Sequence, residues 1–172
     1  FSTAALIIHK IVPNSTRMFY NRNGLTQQIS SQEEFLMKNL LKFSLAYLIA
    51  GLAAGVFFRE FTTLYGFAGE TALAAAHTHL LILGILMFLL LLLFEKAFSL
   101  SSSKKWRPFL YFYNIGIALT AALMLMRGIL QVQGIVESAA VAGIAGIGHI
   151  LTAIGLIFLF LSLFERVSRS EK

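Results

Sequence analysis

Three of the four histidines lie inside apolar stretches: His77 and His79 in Ala75-Ala76-His77-Thr78-His79-Leu80-Leu81, and His149 just after Gly146-Ile147-Gly148. An ionisable side chain at membrane depth is expensive to keep there, so it marks a candidate site. Neutral imidazole can ligate a transition metal or haem iron. It can also relay protons, or simply hydrogen-bond between helices. Spacing limits the choice for the first pair. Residues two apart on a helix differ by roughly 200° in direction, so His77 and His79 face nearly opposite ways and cannot chelate one ion as an i,i+4 pair does. They serve two different sites, or one is a ligand and the other bonds a neighbouring helix.

The elements that carry these residues follow from composition. The chain has 172 residues, is 58% hydrophobic and has a mean hydropathy of +0.78, which places it among membrane proteins. Charged residues make up only 13%, so the net charge of +6 is not a nucleic-acid footprint. With no cysteine, disulfides, thiolate metal sites and cysteine nucleophiles are excluded.

Four spans are predicted to cross a bilayer: Leu40–Phe58, Thr71–Phe94, Phe109–Met126 and Ala139–Phe164. Proline is absent from all four, and Pro108 heads the third, where a missing N–H costs nothing. Short connections make consecutive helices antiparallel neighbours. The expected fold is therefore all-α, a four-helix transmembrane bundle. Lys38, Lys42, Lys96, Lys104, Lys105, Arg107, Arg166, Arg169 and Lys172 fall on one side, against Arg59 and Arg127 on the other. The positive-inside rule then predicts both termini cytoplasmic. Trp106 and Tyr111 on the inner side, and Tyr65 on the outer, suit interfacial anchoring.

Residues 1–36 read as a polar extension, distinct from a membrane domain over 37–172. Met37 directly precedes Lys38 and the first span. If Gln32-Glu33-Glu34 were encoded CAG-GAG-GAA, the message would hold a bacterial ribosome-binding sequence just upstream, making 1–36 a translated leader. The other reading is a disordered cytoplasmic extension. No secretory signal peptide is evident, since the first span is full length.

Helical rise places His77 roughly 9 Å and His79 roughly 12 Å from the outer end of the second span, with His149 about 15 Å from the outer end of the fourth. His79 and His149 thus share a depth in the outer half of the bilayer, under a rim carrying Arg59 and Arg127. A histidine from each of two facing helices is a common way for a bundle to hold a cofactor. The expected site is a b-type haem with His79 and His149 as axial ligands and His77 as an alternate or second-site ligand. Arg59 and Arg127 would pair with the propionates. Gly143, Gly146 and Gly148 leave room for a flat macrocycle, although small residues equally serve close helix packing. Glu60, Glu70 and Glu137 read as surface or helix-end charges and not as metal ligands, Asn114, Gln131 and Gln133 need no special role, and Ser101–Ser103 reads as a flexible link. Gly143-Ile-Ala-Gly146-Ile-Gly148 is not a dinucleotide fingerprint, because no strand precedes it.

From Met37 onward the chain resembles an uncharacterised family of small bacterial four-helix membrane proteins. The segments that carry this likeness are Gly55-Val-Phe-Phe-Arg59-Glu60-Phe61, His77-Thr-His79-Leu-Leu-Ile-Leu-Gly84 and Gly148-His149. The resemblance implies the bacterial cytoplasmic membrane and no established activity. His77-Thr-His79 is also similar to the His-x-His helix of the haem-binding subunit of haem–copper oxidases, whose two imidazoles face different cofactors. With only four spans and no full copper site, that likeness implies a haem protein for electron transfer, gas sensing or haem handling, not respiratory catalysis. The alternative is a non-enzymatic membrane partner or a small-solute or proton permease, with structural or relaying histidines. Expected partners are the lipid bilayer and further copies or subunits of a membrane complex, with no nucleic acid.

Overall fold

In a computed structural model of the protein the backbone is described over 14–136 and 139–170, and side chains over 31–136, 144 and 146–168. Among the described residues the regular structure is all helical, with α1 at Asn14–Leu64, α2 at Ala72–Phe98, α3 at Trp106–Val132 and α4 at Ala139–Ser170. Each of the four contains a stretch long and apolar enough to cross a membrane. The chain forms two compact units, Phe1–Asn39 and Leu40–Lys172. In the first, Lys38 and Glu34 form an exposed i,i+4 ion pair at 2.6 Å. The candidate site lies wholly in the second.

The expected spans fall within these helices, except that Thr71 caps α2 instead of opening it. Each helix runs beyond its apolar segment, because hydrophobicity marks what lipid must cover while backbone geometry decides where a helix stops. α1 reaches back over part of the segment read as unpatterned. It ends where Gly66 takes φ +56°, with Phe67 N–H bonded to Thr62 O at 2.9 Å and Gly66 N–H to Thr63 O at 3.1 Å. α3 ends the same way at Gly134, φ +70°, through Ile135 to Leu130 and Gly134 to Gln131. Both are paired-bond C-caps that use glycine in the left-handed region.

The second half of the site's scaffold is the distortion of α2. It is α-helical over Ala72–His79, π-helical over Leu80–Leu86 and α-helical again over Met87–Phe98. A π stretch within an α-helix loosens the regular ladder and often accompanies a functional site. Hydroxyls from two neighbours meet its carbonyls. Tyr113 donates to Leu83 O at 2.9 Å, and Ser44 reaches Ile85 O at 3.5 Å.

Small residues set the helix spacing. A Cβ on Gly84 would lie 2.5 Å from Tyr47 on α1, and one on Gly51 would lie 2.5 Å from Leu81. One on Gly116 would lie 2.5 Å from the backbone nitrogen of Thr152, and one on Gly128 as close to that of Leu73. This is the close approach that small residues allow between membrane helices. At the α2 start, Thr71 donates to Gly128 O and Gln131 accepts from Ala72 N–H at 2.8 Å. Gln131 therefore has a capping role that its type alone did not signal.

The interior centres on Phe88, Phe109 and Tyr113, all fully buried. Trp106 joins them instead of anchoring at the interface, being 4% exposed with its ring 5.4 Å from that of Phe109. Burying so large an apolar area in a packed core outweighs the interfacial preference. Tyr111 and Tyr65 are exposed. Ser101–Ser103 is also more than a link. Glu95, 5% exposed, accepts from Ser101 N–H at 2.8 Å and from its hydroxyl at 2.6 Å. Arg166 Nε donates to Phe98 O at 3.0 Å, satisfying a carbonyl at the end of α2.

Candidate functional site

His77 and His79 diverge as a helix requires. The His77 ring stacks on Phe58 of α1, centroids 5.9 Å apart at 16°, and faces Gly55. The His79 ring turns to α4, where its centroid lies 6.3 Å from that of His149 at an interplanar angle of 83°. The structure thus brings His79 and His149 together and sends His77 to the α1 interface.

His79 closes the first α-helical part of α2, immediately before the π segment. Its Nδ1 lies 2.8 Å from Ala75 O. A carbonyl only accepts, so this bond takes its proton from Nδ1, and in a neutral ring the lone pair is then on Nε2. Fixing one imidazole nitrogen through a backbone carbonyl orients the other as a ligand. The corresponding distance for His77, to Leu73 O, is 3.5 Å.

Between α2, α3 and α4 is a cavity of about 160 Å³. The residues that matter on its wall are His79 and Leu83, Ile117 and Thr120, and His149 and Thr152. Thr120 is 4% exposed, and its hydroxyl is buried without a hydrogen-bond partner. Thr152 instead donates to Gly148 O at 2.9 Å. Sequence reasoning passed over Thr120, because threonine is ordinary in membrane helices and nothing in its spacing sets it apart.

Neither Arg59 nor Arg127 lines the cavity. The Arg59 side chain is 84% exposed, 3.9 Å from Glu60. Arg127 is half-buried. It follows Thr120 by two helical turns on the same face of α3, roughly 10 Å along the axis. Glu60 and Glu70 are exposed, while Glu137 and Gly143 lie outside the described side chains. Among the described residues, no three His, Cys, Asp or Glu side chains converge as a metal site. The expected glycines divide: Gly148 packs against Thr120, whereas a Cβ on Gly146 would meet nothing within 4 Å.

Fold and site together define an all-helical protein with four membrane-type helices and an edge-to-face imidazole pair, one ring half-buried and the other exposed. The chain belongs to the family described as Protein of unknown function (DUF2871), whose model matches residues 37–166. No curated protein and no solved structure matches it.

Proposed function

We propose that the protein is an integral membrane haem protein holding a b-type haem between His79 and His149. The observation that carries this reading is the 6.3 Å separation of the two rings. A metal–nitrogen bond of about 2.0–2.1 Å, plus about 1.1 Å from nitrogen to ring centre, puts trans imidazoles about 6.4 Å apart and a tetrahedral pair about 5.2 Å apart. The observed value is nearer the first, and it also lies within the ordinary range of an edge-to-face ring pair. Among the described residues no third His, Cys, Asp or Glu converges with the two imidazoles, which suits a metal whose remaining donors would come from a macrocycle.

The residues accommodate such a group in part within the chain. The cavity of about 160 Å³ is smaller than the roughly 300–1,000 Å³ of a typical ligand pocket. A macrocycle centred there would extend past exposed His149 and the open surface at Gly146. A second copy or another membrane subunit would then cover its edge. Arg127, two turns along α3 from Thr120, would be the arginine to meet a propionate, and Arg59 would do so only from the surface. When bound, haem supplies a one-electron iron couple tuned by its axial ligands and the polarity around it. His79 supplies the oriented lone pair, and the apolar wall at Leu83 and Ile117 keeps water away. The Lys/Arg distribution supports cytoplasmic termini and a site in the outer half of the bilayer, and the resemblance to small bacterial membrane proteins supports the bacterial cytoplasmic membrane.

Purified protein expressed with adequate haem should show a Soret band that disappears in His79→Ala and His149→Ala. A colourless protein, both as isolated and after haem reconstitution, would overturn the reading and leave the histidines as interhelical or proton-relaying groups.

A further inference from the structure

A groove of about 620 Å³ is walled by α1 and α3, with buried Leu80 of α2 also on its wall. It shares no lining residue with the His79–His149 cavity. Its volume falls within the roughly 300–1,000 Å³ of small-molecule sites. Ala50, Ala118 and Ala122 on its walls are exposed, so it opens sideways where the apolar spans would meet lipid. From Asn114 to Leu125 it runs about 16 Å along α3.

One end of this groove is polar and aromatic. Tyr47 donates to Asn114 Oδ1 at 3.0 Å, and Asn114 Nδ2 donates to Leu110 O at 2.7 Å. A primary amide has two N–H groups, so Asn114 keeps one that nothing among the described residues accepts. An unmet donor is costly where no water reaches it, and Asn114 lies roughly 12 Å along α3 from Trp106, past the helix end. Beside it, the Phe43 and Tyr47 rings both stack on Phe88, at 5.3 and 5.6 Å with interplanar angles of 28° and 22°, which fixes them as a wall. No Lys, Arg, His, Asp or Glu lines the groove.

These features select a ligand. It arrives through the bilayer, so it is lipid-soluble. With no charge to pair, it is neutral, which rules out a phospholipid phosphate or a fatty-acid carboxylate. It must accept a hydrogen bond beside aromatic rings and carry hydrocarbon long enough to follow the alanines. We propose that the groove binds a lipid-soluble quinone, with its ring at Phe43 and Tyr47, one carbonyl accepting from Asn114, and its tail lying toward Leu125. The haem reading is not needed for this.

Decylubiquinone is the probe, titrated calorimetrically into the full chain in mild detergent. Binding should saturate at one per chain, and the infrared stretch of one quinone carbonyl should fall on binding. Asn114→Leu should weaken binding by about five- to tenfold, the loss of one hydrogen bond, and return that stretch to its free value. Ala118→Trp fills the groove from an exposed position and should abolish saturable binding. Ile157→Trp, exposed on α4 and outside the groove, should leave it unchanged. Decylbenzene, which has ring and tail but no carbonyl, should bind at least about fivefold more weakly than the quinone. Uptake that never saturates overturns the inference, and so does a carbonyl stretch that binding does not move. Equal affinity for decylbenzene overturns it too, and marks a groove for acyl chains. Should Asn114→Leu not fold, the wild-type carbonyl stretch and Ala118→Trp still decide. None of these readouts is a Soret band, so this inference and the haem reading fail separately.

Discussion

Gly148 on α4 packs so closely on Thr120 of α3 that a Cβ at position 148 would collide with the threonine hydroxyl, and its next nearest atom would be the Thr120 backbone nitrogen at 2.9 Å. Because backbone cannot give way as a side-chain tip can, this contact fixes the α3–α4 distance. It also sets the position of His149 one residue on. Gly148→Ala should force the helices apart and cost about 1–3 kcal/mol, the usual range for overpacking. Gly146→Ala, with open space around it, should be neutral or stabilising by up to about 1 kcal/mol through helix propensity. Thermal unfolding in a mild detergent checks the pair. Equal midpoints for the two variants would contradict the assignment of Gly148 as the spacer.

The π segment makes a second prediction. Tyr113 is fully buried, and its hydroxyl donates to Leu83 O at 2.9 Å within Leu80–Leu86. Tyr113→Phe keeps the ring and removes only that bond, so the expected cost is about 1–2 kcal/mol. The loss should be local. Amide exchange should quicken over 80–86 while Met87–Phe98 keeps its protection. Uniformly faster exchange along α2 would mean that the hydroxyl stabilises the whole bundle and not the π segment in particular.

How far the residues alone could be read is clear from the two halves of α2. Its apolar length, its antiparallel neighbours and the divergence of His77 from His79 all follow from periodicity and rise, which are local properties. Thr71 as a cap and the break at Gly66 are local as well. The π segment was not legible, because Leu80-Leu-Ile-Leu-Gly-Ile-Leu86 is an unremarkable apolar run. Its carbonyls are met by Tyr113 and Ser44, which lie 30 and 41 residues away in sequence. Thr120 was hidden for the same reason: its lack of a partner is a property of the assembled cavity. Trp106 failed as an interfacial anchor because burial against Phe109 depends on helix contacts that composition does not specify. Matched depth did suggest His79 with His149, but the 6.3 Å separation needed three dimensions.

His77 separates packing from ligation. It stacks on Phe58 and faces Gly55, turned away from the cavity wall that holds His79. His77→Phe should preserve that stacking and leave any Soret band at wild-type intensity, while His79→Ala removes it. Its effect on thermal stability should stay within about 1 kcal/mol, since the long Nδ1 contact to Leu73 O contributes little. A Soret band lost in His77→Phe with the fold intact, judged by far-ultraviolet circular dichroism, would move the ligand role to the α1 face.

Orientation can be tested without background, because the chain contains no cysteine. Glu70 is exposed in the turn between α1 and α2, and Lys104 is exposed in the turn between α2 and α3. The two turns lie at opposite ends of α2. By the positive-inside rule, the excess of lysine and arginine near Lys104 predicts that this end faces the cytoplasm. In intact cells, a membrane-impermeant maleimide should label Glu70→Cys readily and Lys104→Cys only after permeabilisation. Both positions carry charged side chains in the wild type, so neither change buries a polar group or opens the core, and each variant should retain wild-type stability within about 0.5 kcal/mol. The reverse labelling pattern would place the His79–His149 cavity in the inner half of the bilayer. Arg59 and Arg127 would then lie on the cytoplasmic side, and any electron or gas exchange at the site would have to be considered from that side.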